Sequence, residues 1–305
     1  MSVKFRFLKF ADKEWVARVQ ALPYDRRDIH FDPRILAPYL KAYGWDLRLT
    51  VTGDPDTLKD FVIQPILVTK EGELRHAYNF GGPVGDNNGI YELYNAHRAG
   101  IDVYKHRAGI KKEFGTLNPF LTEHQKFYVP NYKHVKDSVY IDLSQIKPRG
   151  TTRRLANKAQ GLGVQIGSYH IYTHLHHFLR LYEQTMSRVG AEDNWKFGND
   201  WFMWFAKFLY PHLLLATYEG KVIAACLVVH KGIYPVAYYH FAASSDDCPI
   251  GVNQMMVLAA AELVKSRGAK YLYLGGGLTD EPRDGLFVFK SGFSKLRLPV
   301  ISYRC

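Results

Sequence analysis

The chain has 305 residues, about twice a typical domain length, so one large or two modest domains are expected. Apolar residues at 47% and charged residues at 23% exclude a mainly disordered chain. Forty Lys and Arg against 29 Asp and Glu leave a formal charge of +11, which points to a polyanionic partner: nucleic acid, a nucleotide or phosphate, or an anionic membrane face.

In chain order, residues 1–10 read as a strand and 12–21 as a short helix. DPRILAPYLKAYG predicts a helix with Asp32 as N-cap and Pro33 at its first position. LRLTV, FVIQPILVT and ELRHAYNF follow as strands, with turns near Gly53–Pro55 and Glu71–Gly72. Residues 89–108 have helical periodicity, and VYIDL predicts a strand before the polar junction KPRGTT. A boundary at 145/146 is expected there, giving lobes 1–145 and 146–305. The second half continues with helices at about 150–161, 173–189 and 199–209. Strands LLLATY, VIAACLVVH and YPVAYYHFA, a helix at 253–267 and a strand KYLYLG complete it.

Residues 61–82 align on 221–242 without a gap, with seven of 22 positions identical. Each block is followed by a helix and then by Gly-x-Lys into another strand, at Gly109–Lys111 and Gly268–Lys270. An internal duplication is expected, implying an α/β (α+β) chain of two similar lobes, each a mostly antiparallel sheet flanked by helices.

The positive charge is local. Residues 144–182 contain no acid and carry Lys147, Arg149, Arg153, Arg154, Lys158 and Arg180. Residues 285–305 contain none and carry Lys290, Lys295, Arg297 and Arg304. Cys226, Cys248 and Cys305 are too widely spaced for a disulfide framework or a zinc knuckle. The start, MSVKFRFLKF, has no signal-peptide core, and no apolar run approaches the ~20 residues of a membrane span. A cytoplasmic setting is expected, with peripheral membrane contact left open.

Chemistry is best sought in KYLYLGGGLTDEPRDGLFVFKSGFSK. A strand runs into Gly275, Gly276 and Gly277, which let backbone approach a ligand closely. Asp284–Gly285 then makes a turn, and Lys290 follows Phe289 among apolar neighbours, where it can bind phosphate or stabilise an oxyanion. The alternative is a plain tight turn with Lys290 as an edge-strand charge. HIYTHLHH places His170/His174 and His174/His177 on shared helix faces, a weak metal pattern without nearby Asp, Glu or Cys. Tyr238, Tyr239 and His240 end a strand, Cys226 lies inside one, and WKFGNDWFMWF clusters three tryptophans; a core role fits each.

The pattern LGGG…DGL…FKSGFS resembles the C-terminal end of the Fem-type (FemABX) peptidyltransferases and their Fem-like relatives in the GNAT acyltransferase superfamily. RRLANKAQGLGV at 153–164 is similar to the family's basic helix, YNFGGPVG at 78–85 to its first-lobe glycine loop, and EFGTLNPFL at 113–121 holds the place of a strand-end motif. The resemblance spans roughly residues 30–298. It implies two GNAT-like lobes and an aminoacyl-tRNA-dependent N-acyltransferase acting on an amine of a cell-envelope precursor or a small amino compound or peptide. No metal or cofactor is implied.

The resemblance also assigns roles. Lys290, with Phe289, lies near the acceptor's phosphates and the reacting carbonyl. Arg153 and Arg154 contact a diphosphate, with Lys158 on the same helix, and Lys41 is the nearest match for a first-lobe lysine. The family's strand-end acid is here Asn118, which cannot take a proton at neutral pH. Tyr238 is a candidate acid or hydrogen-bond donor. A coenzyme A loop at a helix N-terminus would read Gln/Arg-x-x-Gly-x-Gly/Ala, but SSDDCPIGVNQMM retains only Gly251, and Asp246 and Asp247 oppose a pyrophosphate. Two other readings remain: an acyl-CoA-dependent N-acyltransferase of an amino sugar, and a non-catalytic basic module binding RNA or a membrane surface.

Overall fold

The apolar runs become central strands in each of two units. The computed structural model describes residues 3–76, 80–87, 91–192 and 196–305. Packing divides the chain into a first unit, Met1–Asp137 with Leu298–Cys305, and a second, Ser138–Arg297. The expected division at 145/146 lies in the polar junction. The division by packing falls earlier, inside a strand that runs unbroken across it.

The first unit pairs β1 (Lys4–Lys9), β2 (Asp46–Gly53), β3 (Phe61–Val68), β4 (Glu73–Arg75) and β6 (Lys112–Thr116), in that order, with β13 (Arg297–Arg304) beside β6. The short β5 (Val84–Gly85) pairs with β3. All pairs are antiparallel except β4 with β6. The helices are α1 (Lys13–Ala21), α2 (Pro33–Tyr43), α3 (Tyr91–Ala108) and the single turn α4 (Thr122–Gln125). Helix α2 begins as expected: the Asp32 carboxylate accepts the Arg34 N–H at 2.9 Å, and Pro33 takes the first helical position. Gly44, left-handed at φ 67°, ends it.

The second unit repeats this order with β8 (Gln165–Tyr169), β9 (His212–Tyr218), β10 (Lys221–Val229), β11 (Val236–Ser244) and β12 (Tyr271–Gly276), closed by β7 (Tyr132–Asp142). Again only one pair, β11 with β12, is parallel. The offset that aligns residue 61 with 221 also brings α3 close to α8 (Val252–Ser266) and β6 close to β12. The closing strands are exchanged in chain order. β7 follows the first unit yet pairs with β12, and β13 follows the second yet pairs with β6.

Alternation along β9–β12 sends one set of side chains, including Leu214, Ala224, Cys226, Ala237 and Leu272, into a core under α8 and α5 (Gly150–Gly161). The other face meets α6 (Ile171–Arg188) and α7 (Asn199–Leu209), where Phe241 lies within 6.4 Å of Phe178, Tyr182, Trp201 and Phe202. Trp201 is therefore core. Trp195 lies outside the described residues.

The two parallel pairs differ beyond their registers. In the second unit β11 and β12 pair only over Val236–Tyr238 and Tyr271–Tyr273; β11 then continues along β10 alone and β12 along β7. In the first unit the corresponding gap is refilled. Gly81 bridges to Leu117, its N–H donates to the Thr116 carbonyl at 2.9 Å, and its own carbonyl accepts the Asn118 N–H at 3.1 Å. A Cβ at Gly81 or Gly115 would sit 2.5 Å from the His76 ring, so that imidazole occupies the space between the strands.

A buried charge network underlies β6. The fully buried Glu113 carboxylate accepts two hydrogen bonds from Arg98 at 2.8 Å, one from Lys105 at 2.7 Å and one from the Tyr303 hydroxyl at 3.1 Å. Burial works against its charge, but Arg98 and Lys105 outweigh it and bring the carboxyl down to about 2. Burial lowers His76 to about 4 and keeps it neutral. Both groups bind protons less readily folded than unfolded, so their stabilisation is present at neutral pH. His76 loses its share as pH falls from about 6.5 to 4, and Glu113 as it falls from about 4.5 to 2. Thermal melts at descending pH should show a falling midpoint over these windows. Glu113→Gln leaves the half-buried Lys105 without its counter-charge and Arg98 with Asp102 alone, and chemical denaturation should register a loss of about 3 kcal/mol.

Candidate active site

The glycine run ends β12 at a bulge. Register against β7 shifts between Tyr273 and Gly275, and Gly275 takes φ 82°, a conformation that favours glycine. The chain then turns back through Asp284. Its carboxylate accepts N–H groups from Phe287 at 2.8 Å, Leu278 at 3.1 Å and Thr279 at 3.3 Å. A Cβ at Gly277 would collide with this carboxylate, which explains the third glycine. Burial opposes ionisation of Asp284, but the Phe287, Thr279 and Leu278 amides prevail and hold its carboxyl below the ordinary value.

Asp284 is thereby the N-cap of α9 (Gly285–Ser291), and the structure makes LFVFKS a helix, not an edge strand. Lys290 stands in its last turn and donates from Nζ to the Gly276 carbonyl at 2.7 Å. The ammonium is thus fixed at the end of β12, on the strand that parts from β11. Arg297 braces the same helix. It donates to Ser291 Oγ at 2.8 Å and its guanidinium lies 5.2 Å from the Phe287 ring centre.

The basic helix adjoins this segment. The Arg149 N–H, at the head of α5, donates to the Gly292 carbonyl at 2.8 Å, and Gly292 leaves room for Thr152. Arg153, Arg154 and Lys158 are exposed and make no ion pair among the described residues. Farther along, the Leu155 carbonyl packs so closely on Gly251 that a Cβ there would overlap it. Gly251 precedes α8, so backbone of α5 crowds the helix start where a pyrophosphate would bind. Asp246 in the same loop is ion-paired to Arg188.

Lys290, Gly275, Gly276 and Gly277 are thus gathered, with α5 beside them. Phe289 packs on the second-unit core and lies 5.2 Å from Phe293. Tyr238 is 2% exposed and its ring lies 5.5 Å from Tyr273, a core position. Tyr239 is held near Cys226, whose thiol burial pushes up to about 12, unsuited to a nucleophile. Asn118 and Lys41 belong to the first unit. Asn118 is fully buried, its Oδ1 accepts the Phe120 N–H at 3.0 Å, and Nδ2 has no partner among the described residues. Lys41 is exposed in the last turn of α2. Of the glycine loop at 78–85, Tyr78 and Asn79 lie outside the described residues. Among the described residues no His, Cys, Asp and Glu group of three or more is placed to hold a metal. The Asp284 cap has a sequence signal, an Asp just ahead of the apolar run LFVF, but no Glu or Gln at 287 strengthens it.

No protein-family model matches the chain, and no curated protein matches it in sequence. Its structure is similar to that of FemX, with a TM-score of 0.68 at 14% identity over 98% of this chain and 97% of that one. It is also similar to the C-terminal domain of a putative lysylphosphatidylglycerol synthetase from Agrobacterium fabrum, with a TM-score of 0.64 at 12% identity over 95% and 91%. A tandem GNAT protein from the clavulanic acid biosynthesis pathway gives 0.58 at 10% identity over 100% and 98%. The chain has the tandem GNAT fold. The expected Fem-like pair of GNAT lobes is borne out at that level, and the repeated strand order is the two GNAT units. In the second GNAT unit, Asp284→Ala removes the cap of α9 and should cost about 1–2 kcal/mol by urea denaturation, whereas Asp284→Asn, still a good cap, should retain most of it.

Proposed function

We propose that the chain is an N-acyltransferase that moves an aminoacyl group from aminoacyl-tRNA to an amine of a cell-envelope precursor or of a small amino compound or peptide. One observation carries this reading: the Lys290 ammonium is pinned to the Gly276 carbonyl at the end of β12, where β12 has left β11. A fixed cation at a strand split can stabilise the oxyanion that forms when an amine attacks an ester carbonyl. In that step the new C–N bond forms, the ester C–O bond breaks, and one amine proton ends on the departing oxygen, directly or through solvent. The ester is already activated, so alignment of amine and carbonyl supplies much of the rate.

The neighbouring cations favour a phosphate-bearing substrate. Arg153, Arg154 and Lys158 stand exposed on α5, whose first turn adjoins the segment carrying Lys290. The fold is shared with FemX and with a lysylphosphatidylglycerol synthetase domain, which agrees with an aminoacyl donor. The acyl-CoA alternative is disfavoured in the second unit by the Leu155 carbonyl against Gly251.

A donor screen tests the proposal. Radiolabelled aminoacyl-tRNAs and acyl-CoAs are offered with amine acceptors, and product formation should be RNase-sensitive. Lys290→Ala should lower kcat by about 10²–10³, the usual cost of one oxyanion donor, with a modest change in substrate binding. Transfer from acyl-CoA alone would reassign the donor; transfer from neither would remove the enzymatic reading.

A further inference from the structure

The second unit's sheet has two chemically different ends. At one end β9, β11 and β12 begin and β7, β8 and β10 finish. The connecting residues 143–145, 169–170, 210–211, 230–235 and 267–270 contain no Asp or Glu. They carry Lys231, Arg267 and Lys270, while Lys207 and Lys265 stand in the last turns of α7 and α8. Hydrogen bonds tie these loops together: the Lys270 N–H donates to the Pro235 carbonyl at 2.8 Å and the Leu143 N–H to the Lys270 carbonyl at 3.0 Å. The acids closest in the chain are Asp142, which accepts hydrogen bonds from Ser144, and Glu262 and Asp200 on the flanking helices. The other end is different: its loops carry Glu219, Asp246, Asp247, Asp280, Glu281 and Asp284.

The acid-free end also displays large apolar side chains. Helix α7 buries Trp201, Phe202, Phe205 and Leu209, and turns Met203, 51% exposed, and Lys207 outward with the half-buried Trp204 and Phe208. The Lys207 ammonium lies 4.9 Å from the Trp204 ring centre, and Trp204 stacks on Phe208 at 5.8 Å. Tyr210 follows, 55% exposed, with Lys231 5.7 Å from its ring centre and Tyr172 edge-on at 5.4 Å. Tyr210 is left-handed at φ 47°, where glycine fits at less cost. A bulky ring is kept there, on the surface, against local backbone preference.

We propose that this end of the second unit is a docking surface for an anionic lipid bilayer, anchored by Tyr210, Trp204 and Lys231. A bilayer interface satisfies both halves of the surface. Trp and Tyr rings settle at headgroup depth, Met203 and Phe208 face the acyl boundary, and the lysines meet anionic headgroups. An RNA strand would use the cations and rings but leave Met203 in water. Strand β12 runs from this end to Gly276, a rise of roughly 20 Å at about 3.3 Å per residue. A docked protein therefore holds Lys290 clear of the headgroups. The proposal does not depend on the acyl-transfer reading.

The test is co-sedimentation of the full chain with phosphatidylcholine vesicles, with and without about 30% phosphatidylglycerol. Binding should require the anionic lipid. Tyr210→Gly should keep or raise the thermal midpoint and weaken vesicle binding about fivefold. Lys231→Glu should weaken it about tenfold, and Lys221→Glu, at the opposite end, by less than about twofold. Absence of binding to anionic vesicles, or equal losses in all three variants, overturns the proposal. So does intact vesicle binding by Tyr210→Gly and Lys231→Glu with weakened retention on single-stranded RNA, which makes the surface an RNA site.

Discussion

A parallel strand pair that keeps register for only three residues shapes the second unit. Each backbone group that leaves the β11–β12 ladder needs another partner, because a buried unpaired amide or carbonyl is costly. Past Tyr238 and Tyr273, β10 and β7 pair only the far edges of β11 and β12, so the edges that face each other open onto the gap. The space between them is not bridged by their own ladder. In the first unit the same topology is closed by the Gly81 backbone and the neutral His76 ring. The two halves thus share an architecture but not a cleft, and the chemical candidates collect where the gap stays open.

What holds Lys290 is mostly main chain. Its ammonium meets a carbonyl, the Asp284 carboxylate gathers three amides, and α5 joins α9 through the Arg149 N–H. Gly277 and Gly292 allow these approaches because a Cβ at either would strike Asp284 or Thr152. Such a site tolerates change in side chains around it far better than change in its glycines. The positions that matter most for geometry carry no functional group at all.

The sequence was most legible where local chemistry and tertiary packing agree. Asp32, Pro33 and Gly44 mark both ends of α2, and the apolar runs of β3 and β10 became central strands. The segment LFVFKS was harder. Its aromatic and β-branched residues suit a strand, but the Asp284 cap and the tight packing of Gly292 on Thr152 favour a helix. β8 leaves little signal, because QIGSY is short, polar at its ends and begins two residues after Gly163. Tyr238 looked like a strand-end donor, yet pattern alone does not fix which face of a sheet is closed, and its ring is buried beside Tyr273. Partners of β7 and β13 were beyond reach, since strand pairing across more than a hundred residues leaves no local trace.

That exchange of closing strands has a consequence for synthesis. Once the ribosome has made β6, its outer edge can be paired by β13 only after about 180 further residues have been added. At about 5–20 residues per second, this is a wait of roughly 10–40 seconds. During it the first unit presents an unpaired rim and its Glu113 lacks the Tyr303 hydroxyl. The second unit has no such delay, because β7 is already made when β12 appears. The unit made later is therefore the first able to complete its sheet, and the strand that follows it in the chain completes the other.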